Sequence, residues 1–442
     1  MRIGIIWECP WVPSSYGKLS LWLTYGLMRE GFDVRVYCPS VVEMPAYHRC
    51  LEYRVLCLHR ELGVCVDPGR FIEVCNPSWA CGDGGDDVDV YVIGGSPYGG
   101  VESRWVERCS RSRKPVAGYF VTETPVLQPL LASWLFHVDA VGFPARAVAE
   151  SFLSFEPVRE VHKDWVLAPH GLPDYYYDLH PDEILAYSMS LLGGDAERLK
   201  PILESRREGS VYGTVGKDHP RKDYAALLSA FTLLKNKHRD RRLKLFIGLV
   251  KAVGAPMWNI DAMMGTLGLE NEDVVSFESK LEESGVSELG LLHTYSLMNV
   301  FTFATLGEGF GLPPVEAGAL GIPVVVTRTP VTEEVWEGYP LLVRSRPILV
   351  SEGFILYGTD YKDLADKMEI LLDGGERERY GKQARGIAQK YTLDRMTEGV
   401  IKLCQLAEEK RGTKKPHPLQ KYEVKPTQGY KERVLRVLFQ GI

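Results

Sequence analysis

Short apolar runs alternate with amphipathic helical stretches along most of the chain, and no other feature restricts the fold as strongly. MRIGIIW, DVRVYC, DVDVYVIGG (Asp87 to Gly95), KPVAGYFV (Lys114 to Val121), VDAVGF (Val138 to Phe143) and DWVLAPHG (Asp164 to Gly171) read as strands, with LSLWLTYGLMREGF and RAVAESFLSF as helices between some of them. Strands this short and apolar need cover on both faces, and strands joined through helices run parallel. The beat predicts a doubly wound, Rossmann-like α/β domain.

A charged helical stretch, PDEILAYSMSLLGGDAERLKPILESRREG, then interrupts it. The series resumes with VYGTVG (Val211 to Gly216), DYAALLSAFTLLKNK, LKLFIGLV, NIDAMMGTLGL, DVVSF, ELGLLHTYSLM and VFTFAT, followed by VEAGAL as a helix of two turns and PVVVT as a strand. DYKDLADKMEILLDG and ERERYGKQARGIAQKY make later amphipathic helices. With 442 residues the chain exceeds the roughly 250–300 at which single cores stop growing. Two doubly wound parallel-sheet domains are expected, over 1–180 and 209–395, joined by a helical crossing over 181–208 and followed by a helix and basic tail over 396–442.

No apolar run reaches the roughly 20 residues of a membrane helix, and MRIGIIWECPW reads as a buried strand instead of a cleavable signal, so a cytoplasmic protein is expected. Nine cysteines, eight of them among the first 109 residues, include no C-x-x-C pair, which argues against zinc and reads as intracellular free thiols. Five Asn and seven Gln are few for this length, a trait of thermophile proteins; a hyperthermophile source would admit internal disulfides.

The acidic run GDGGDDVDV offers Asp87-x-Asp89, but before a strand, at the end of the sheet opposite to ligand sites, so no metal site is expected. GGSPYGG, after that strand, fits either a ligand-facing loop or a plain turn. RCSRSRK (Arg108 to Lys114) reads first as a solvated loop and second as a contact for anionic lipid or a glycan carrier. From Lys410 to Ile442 there are nine Lys or Arg against two Glu. This tail, ending in KERVLRVLF, reads as solvated, with docking on the first domain second and a peripheral contact with an anionic membrane or a partner third.

EGFGLPPVEAGALGIPVVVT (Glu308 to Thr327) places two carboxylates eight positions apart across a glycine- and proline-rich turn. Glu308 follows VFTFAT, and in open α/β sheets ligands bind beyond the carboxyl ends of the strands. Gly309 and Gly311 permit close backbone approach, and a helix opening at Pro313 or Pro314 would leave free amides toward an anion such as a diphosphate. Glu316, read in the first turn of that helix, can accept from the vicinal diol of a ribose, and Glu308 from sugar hydroxyls; a buried hydroxyl left unpaired costs about 1–3 kcal/mol. GTVGKDHPRKDYAALLSAF adds Lys217, Arg221 and Lys222 at another strand end, cations that can neutralise a diphosphate without a metal. Read separately, Glu316 could simply complement a helix dipole and the cations a solvated face.

EGFGLPPVEAGALGIPVVVT closely resembles the E-x7-E segment of the family-4 retaining glycosyltransferases of GT-B fold (glycosyl transferases group 1). APHGLPDYYY, GTVGKDHPRKDYAALLSAF, LGLENEDVVSFESK and HTYSLMNVFTFAT resemble that family's flanking segments in order, and looser similarity through PSSYGKLSLWLTYGLMREGFDVRVY and VDAVGFPARAVAESF extends coverage from Met1 to about Leu406. The resemblance implies two domains facing a central cleft and transfer of a sugar from a nucleotide-diphosphate donor to an acceptor hydroxyl with retention of configuration. It implies no metal, cofactor or nucleic-acid partner. Glu308 would hold donor-sugar hydroxyls, the amides of Gly309, Phe310, Gly311 and Leu312 would contact sugar and phosphate, and Glu316 would hold the ribose. Lys222 matches the family's phosphate-binding lysine, Lys217 stands where an arginine is usual, and Gly17 matches part of a glycine-rich first loop whose paired glycines are here Ser15-Tyr16-Gly17. In GYFVTETPV, Thr122, Glu123 and Thr124 stand where the family often has a histidine; Glu123 would then face the sugar or acceptor, or serve the structure. A non-catalytic sugar-nucleotide or glycan binder and, more remotely, a nucleotide-sugar epimerase are the competing functions.

Overall fold

Strand order shows where each sheet reverses its winding, and both reversals fall beside the candidate residues. The structure is a computed structural model that describes all residues except 11, 13, 39–49, 55–70, 76–79, 82–86, 193–199, 209–210, 252–256, 281–287, 351–352, 416–423 and 440–442. In space the first sheet runs Cys50–Arg54, Phe71–Cys75, Asp33–Tyr37, Arg2–Ile6, Val90–Gly95, Val116–Phe120, Ala140–Phe143 and Val166–Leu167, all neighbours parallel except the first two. The second runs Val274–Lys280, Lys244–Lys251, Val211–Lys217, Val300–Phe303, Val324–Thr327 and Leu342–Val343, all parallel. The central strands are buried throughout, as their unbroken apolar composition requires. The chain has the GT-B architecture, with the winding reversing between Arg2–Ile6 and Val90–Gly95 and again between Val211–Lys217 and Val300–Phe303.

Several elements differ from the expectations. Strands Cys50–Arg54 and Phe71–Cys75 and the antiparallel hairpin Ser345–Leu349/Ile355–Thr359 were not anticipated. The crossing holds two helices, Pro181–Leu192 and Lys200–Arg207. The helix after Glu308 starts at Leu312, ahead of both prolines, so Glu316 lies in its second turn instead of its first.

Leu393–Glu409 packs on the first helix, Ser15–Arg29, and on strands Val90–Gly95, Val116–Phe120, Ala140–Phe143 and Val166–Leu167, so the chain returns to the first domain. The tail that follows is anchored there: Asp139 accepts from the amides of Gly412 (2.9 Å) and Thr413 (3.1 Å) and from Lys414 Nζ (2.7 Å). Arg411 Nε and Lys414 Nζ donate to the carbonyls of Arg113 and Lys114, so two carbonyls of the RCSRSRK run receive the tail. The last helix, Gln428–Phe439, buries none of its residues; it packs on the Ser345–Leu349 strand, with Arg433 paired to Glu150 at 3.2 Å.

The free-thiol reading needs correction. Cys81 and Cys109 form a disulfide and Cys75 is disulfide-bonded, whereas Cys9, Cys38 and Cys404 are buried outside any disulfide. Thiol titration of the denatured, unreduced protein should therefore find fewer than nine; nine would contradict the bonding. Asp87 pairs with Arg2 and Arg35, and Asp89 accepts from the Arg2 amide, so these acids tie strand starts together; the acidic positions 82–86 lie outside the described residues. No helix among the described residues is long and apolar enough to cross a membrane.

Candidate active site

The chain leaving Val300–Phe303 does not turn directly into the next helix. It first runs antiparallel to the segment before Tyr224: Lys222 bridges Thr305, the Leu306 amide donates to the Arg221 carbonyl at 2.7 Å and the Asp223 amide to the Ala304 carbonyl at 3.1 Å. Asp223 also caps the Tyr224–Lys237 helix through the Ala226 amide, which holds the cationic pair at the helix start. This pairing delivers Arg221 and Lys222 to one carboxylate. Glu308 Oε1 is bonded by Arg221 Nη1 and Lys222 Nζ and lies 2.9 Å from Thr305 Oγ1, with Glu308 and Lys222 only 5% and 6% exposed.

Two cations on one carboxylate oxygen, Lys222 buried and Arg221 half-buried, have unequal fates. Burial opposes the charge of Glu308, but Arg221 and Lys222 outweigh it and hold the carboxyl below its usual range. Burial, then the neighbouring guanidinium, push Lys222 down to about 8 despite Glu308. Arg221 keeps its charge, raised by Glu308 and Glu123 over the opposing effect of burial. Lys222 also sits 4.2 Å from the Phe303 ring centroid.

The loop beyond Glu308 approaches the first domain closely. A Cβ on Gly309 would stand 2.9 Å from Val121 Cβ, and Gly311 adopts φ +88°, so glycine is required at both. Among the described residues the amides of Gly309, Phe310, Gly311 and Leu312 donate no hydrogen bond. Pro313 and Pro314 remove two further donors, which concentrates anion-binding capacity in the loop and Leu312 instead of the helix end. Phe310 is wedged against Tyr391 (ring centroids 5.2 Å) and His170 (5.0 Å), and burial drops the His170 pKa to about 3, leaving a neutral ring.

Glu316 is 1% exposed and accepts from Tyr295 Oη at 2.7 Å, while Lys18 of the first domain bonds its other oxygen. Glu123 lies across the cleft with Oε1 3.7 Å from Arg221 Nε. Around it, Tyr98 donates to Thr122 at 2.9 Å, and Tyr16 is raised in pKa by burial and then by Glu123, so part of the GGSPYGG loop lines this wall. Lys217 ends its strand exposed and joins no ion pair with Glu308; Arg221 occupies that place. The Gly17 amide donates to Ser14 Oγ at 2.9 Å as a helix cap. Lys18 and Tyr295 are not singled out by the sequence, whereas Arg221 is one of the three cations read there as able to neutralise a diphosphate, with nothing to mark it as a partner of Glu308.

Two α/β domains whose strand ends meet over a buried carboxylate, two cations and a run of unbonded amides define the class, a GT-B protein. Residues 195–387, chiefly the second domain, match the family model of glycosyl transferases group 1. The serotype-specific mannosyltransferase WbdA of Escherichia coli is 30% identical over 143 residues, 32% of this chain and 16% of the relative. The D-inositol 3-phosphate glycosyltransferase of Corynebacterium jeikeium is 28% identical over 225 residues, 48% of this chain and 49% of the relative. The matched region thus spans half or less of these two proteins. Over 92% of the chain the fold is similar to a sucrose-phosphate synthase from Thermosynechococcus elongatus (TM-score 0.61, 15% identity, 99% of that chain). It is equally similar to a trehalose-6-phosphate structure from E. coli bound with UDP-2-fluoro glucose (TM-score 0.61, 11% identity, 92% and 99% covered).

Proposed function

We propose that the protein is a glycosyltransferase that moves a hexose from a nucleotide diphosphate to an acceptor hydroxyl with retention of configuration. The observation that carries this is the juxtaposition of buried Glu308, held by Arg221 and Lys222, with the unbonded amides of Gly309 to Leu312. The diphosphate lies against those amides and cations, Glu308 accepts from sugar hydroxyls and Glu316 from the ribose. As the glycosidic oxygen departs, charge grows on the diphosphate, and each preorganised donor removes about 3 kcal/mol of barrier, by analogy with oxyanion holes. The departing phosphate takes the acceptor proton on the same face of the sugar, and Glu123 orients the acceptor from the opposite wall. The acceptor is a glycan, a lipid-linked glycan or a small molecule.

The test is incubation with UDP-, GDP-, ADP- and dTDP-linked sugars and hydroxyl acceptors, measuring free nucleoside diphosphate and the anomeric coupling constant of the product. Acceptor-dependent release with retained configuration is expected. Binding without release would favour a non-catalytic binder, and inversion would refute the mechanism.

The pKa of Lys222 sets a pH dependence. Its ammonium is present below about 8 and lost above, so nucleoside diphosphate affinity should fall between pH 7 and 9, by up to about tenfold per unit above that pKa. Calorimetry at pH 8 should register proton uptake on binding. Lys222→Met should remove both effects; a wild-type affinity flat across this range contradicts the assignment.

A further inference from the structure

The ribose position is already filled, and by the other domain. Lys18, on the Ser15–Arg29 helix, bonds Glu316 Oε1, and Tyr295 holds Oε2, so a ribose cannot reach this carboxylate until the ammonium moves. The same Nζ lies 3.8 Å from a second carboxylate, Glu288 Oε2. Glu288 is 9% exposed, opens the Glu288–Ser296 helix of the second domain, and accepts from Tyr176 Oη and, at 3.2 Å, from Tyr175 Oη. The Trp22 ring centroid 5.1 Å from Nζ gives the ammonium a further contact on its own helix. One cation on the first-domain wall therefore faces two buried carboxyl groups on the second. Burial opposes the Lys18 charge, but the two glutamates outweigh it and raise its pKa.

We propose that Lys18 is a displaceable occupant of the ribose subsite: in the ligand-free protein it pairs with Glu316 and holds the cleft shut, and it transfers to Glu288 when a nucleotide's ribose takes Glu316. This rests on the reading of Glu316 as the ribose ligand. The transfer leaves the net charge of the cluster unchanged and keeps each carboxylate hydrogen-bonded, Glu316 by ribose and Tyr295, Glu288 by Lys18 and the tyrosines. Without Lys18 two buried carboxylates would share no counter-charge, and parting the domains is the direct way to hydrate them. Binding in the wild type is thus weakened by the fraction of molecules held shut, and removing the latch removes that penalty.

The experiment titrates UDP, GDP and ADP into wild type, Lys18→Met and Glu288→Gln by calorimetry, and measures the radius of gyration of each ligand-free protein by X-ray scattering. For the nucleotide that wild type prefers, Lys18→Met should bind roughly fivefold or more tighter and be more expanded without ligand. Glu288→Gln should bind several-fold weaker, because the displaced ammonium has lost its second partner. Equal or weaker binding by Lys18→Met with an unchanged radius overturns the latch while leaving the donor site standing. If Lys18→Met does not fold, unchanged affinity in Glu288→Gln overturns it. No binding by wild type sinks the donor site and the latch together.

Discussion

Lys222→Ala should lose about two to three orders of magnitude in turnover with the fold intact, the loss typical of removing one preorganised donor from a developing oxyanion. The fold survives because Glu308 keeps Arg221 and Thr305 as partners, so no buried carboxylate is orphaned. Arg221→Ala should be milder, near tenfold by the same comparison, since burial and the guanidinium together depress Lys222 and removal of the latter returns charge to the lysine. Glu308→Ala differs in kind: it leaves two cations facing each other in a buried site and should lower both turnover and stability. Turnover at fixed saturating donor, with circular dichroism as the folding control, separates the three. Full activity in Lys222→Ala would contradict the electrostatic mechanism.

Asp139→Ala should destabilise the protein by about 3–5 kcal/mol, the range for removing one partner of a buried ion pair. Its side chain is wholly inaccessible and that of Lys414 is 4% exposed. One oxygen gathers the Gly412 and Thr413 amides, and the other the Val116 amide (2.9 Å) and Lys414 Nζ. Alanine would leave the Val116 and Gly412 amides without this acceptor, weaken the hold on Thr413, and leave the buried ammonium with the Lys114 carbonyl but no counter-charge. Lys414→Met should be milder, because the carboxylate retains its amides. Urea midpoints of the two variants test the difference; an Asp139→Ala midpoint close to wild type would mean that the tail does not bear on the fold.

The same residues show what could be read in advance. Unbroken apolar strands such as VYVIGG and VFTF declared two covered parallel sheets, because few other arrangements hide both faces of a strand. Glu308 and Glu316 were legible because glycine and proline between them restrict the backbone locally. The hairpin Ser345–Leu349/Ile355–Thr359 was not, since its strands are half-exposed and lack the apolar run that marks the others. Lys217 and Arg221 were indistinguishable as cations near a strand end; the antiparallel bridge of Lys222 to Thr305, a contact between distant segments, selects Arg221. Lys18 and Glu316 are 298 positions apart, and no local pattern on either side announces the other.

The central claim is a donor site built on Glu308, Lys222 and Glu316, and its most direct test is the thermal stability of wild type and Glu316→Ala with UDP, GDP, ADP and dTDP. One diphosphate should raise the wild-type melting temperature in proportion to the logarithm of its concentration and leave Glu316→Ala unmoved. Stabilisation of neither protein by any of the four, or equal stabilisation of both, would contradict it.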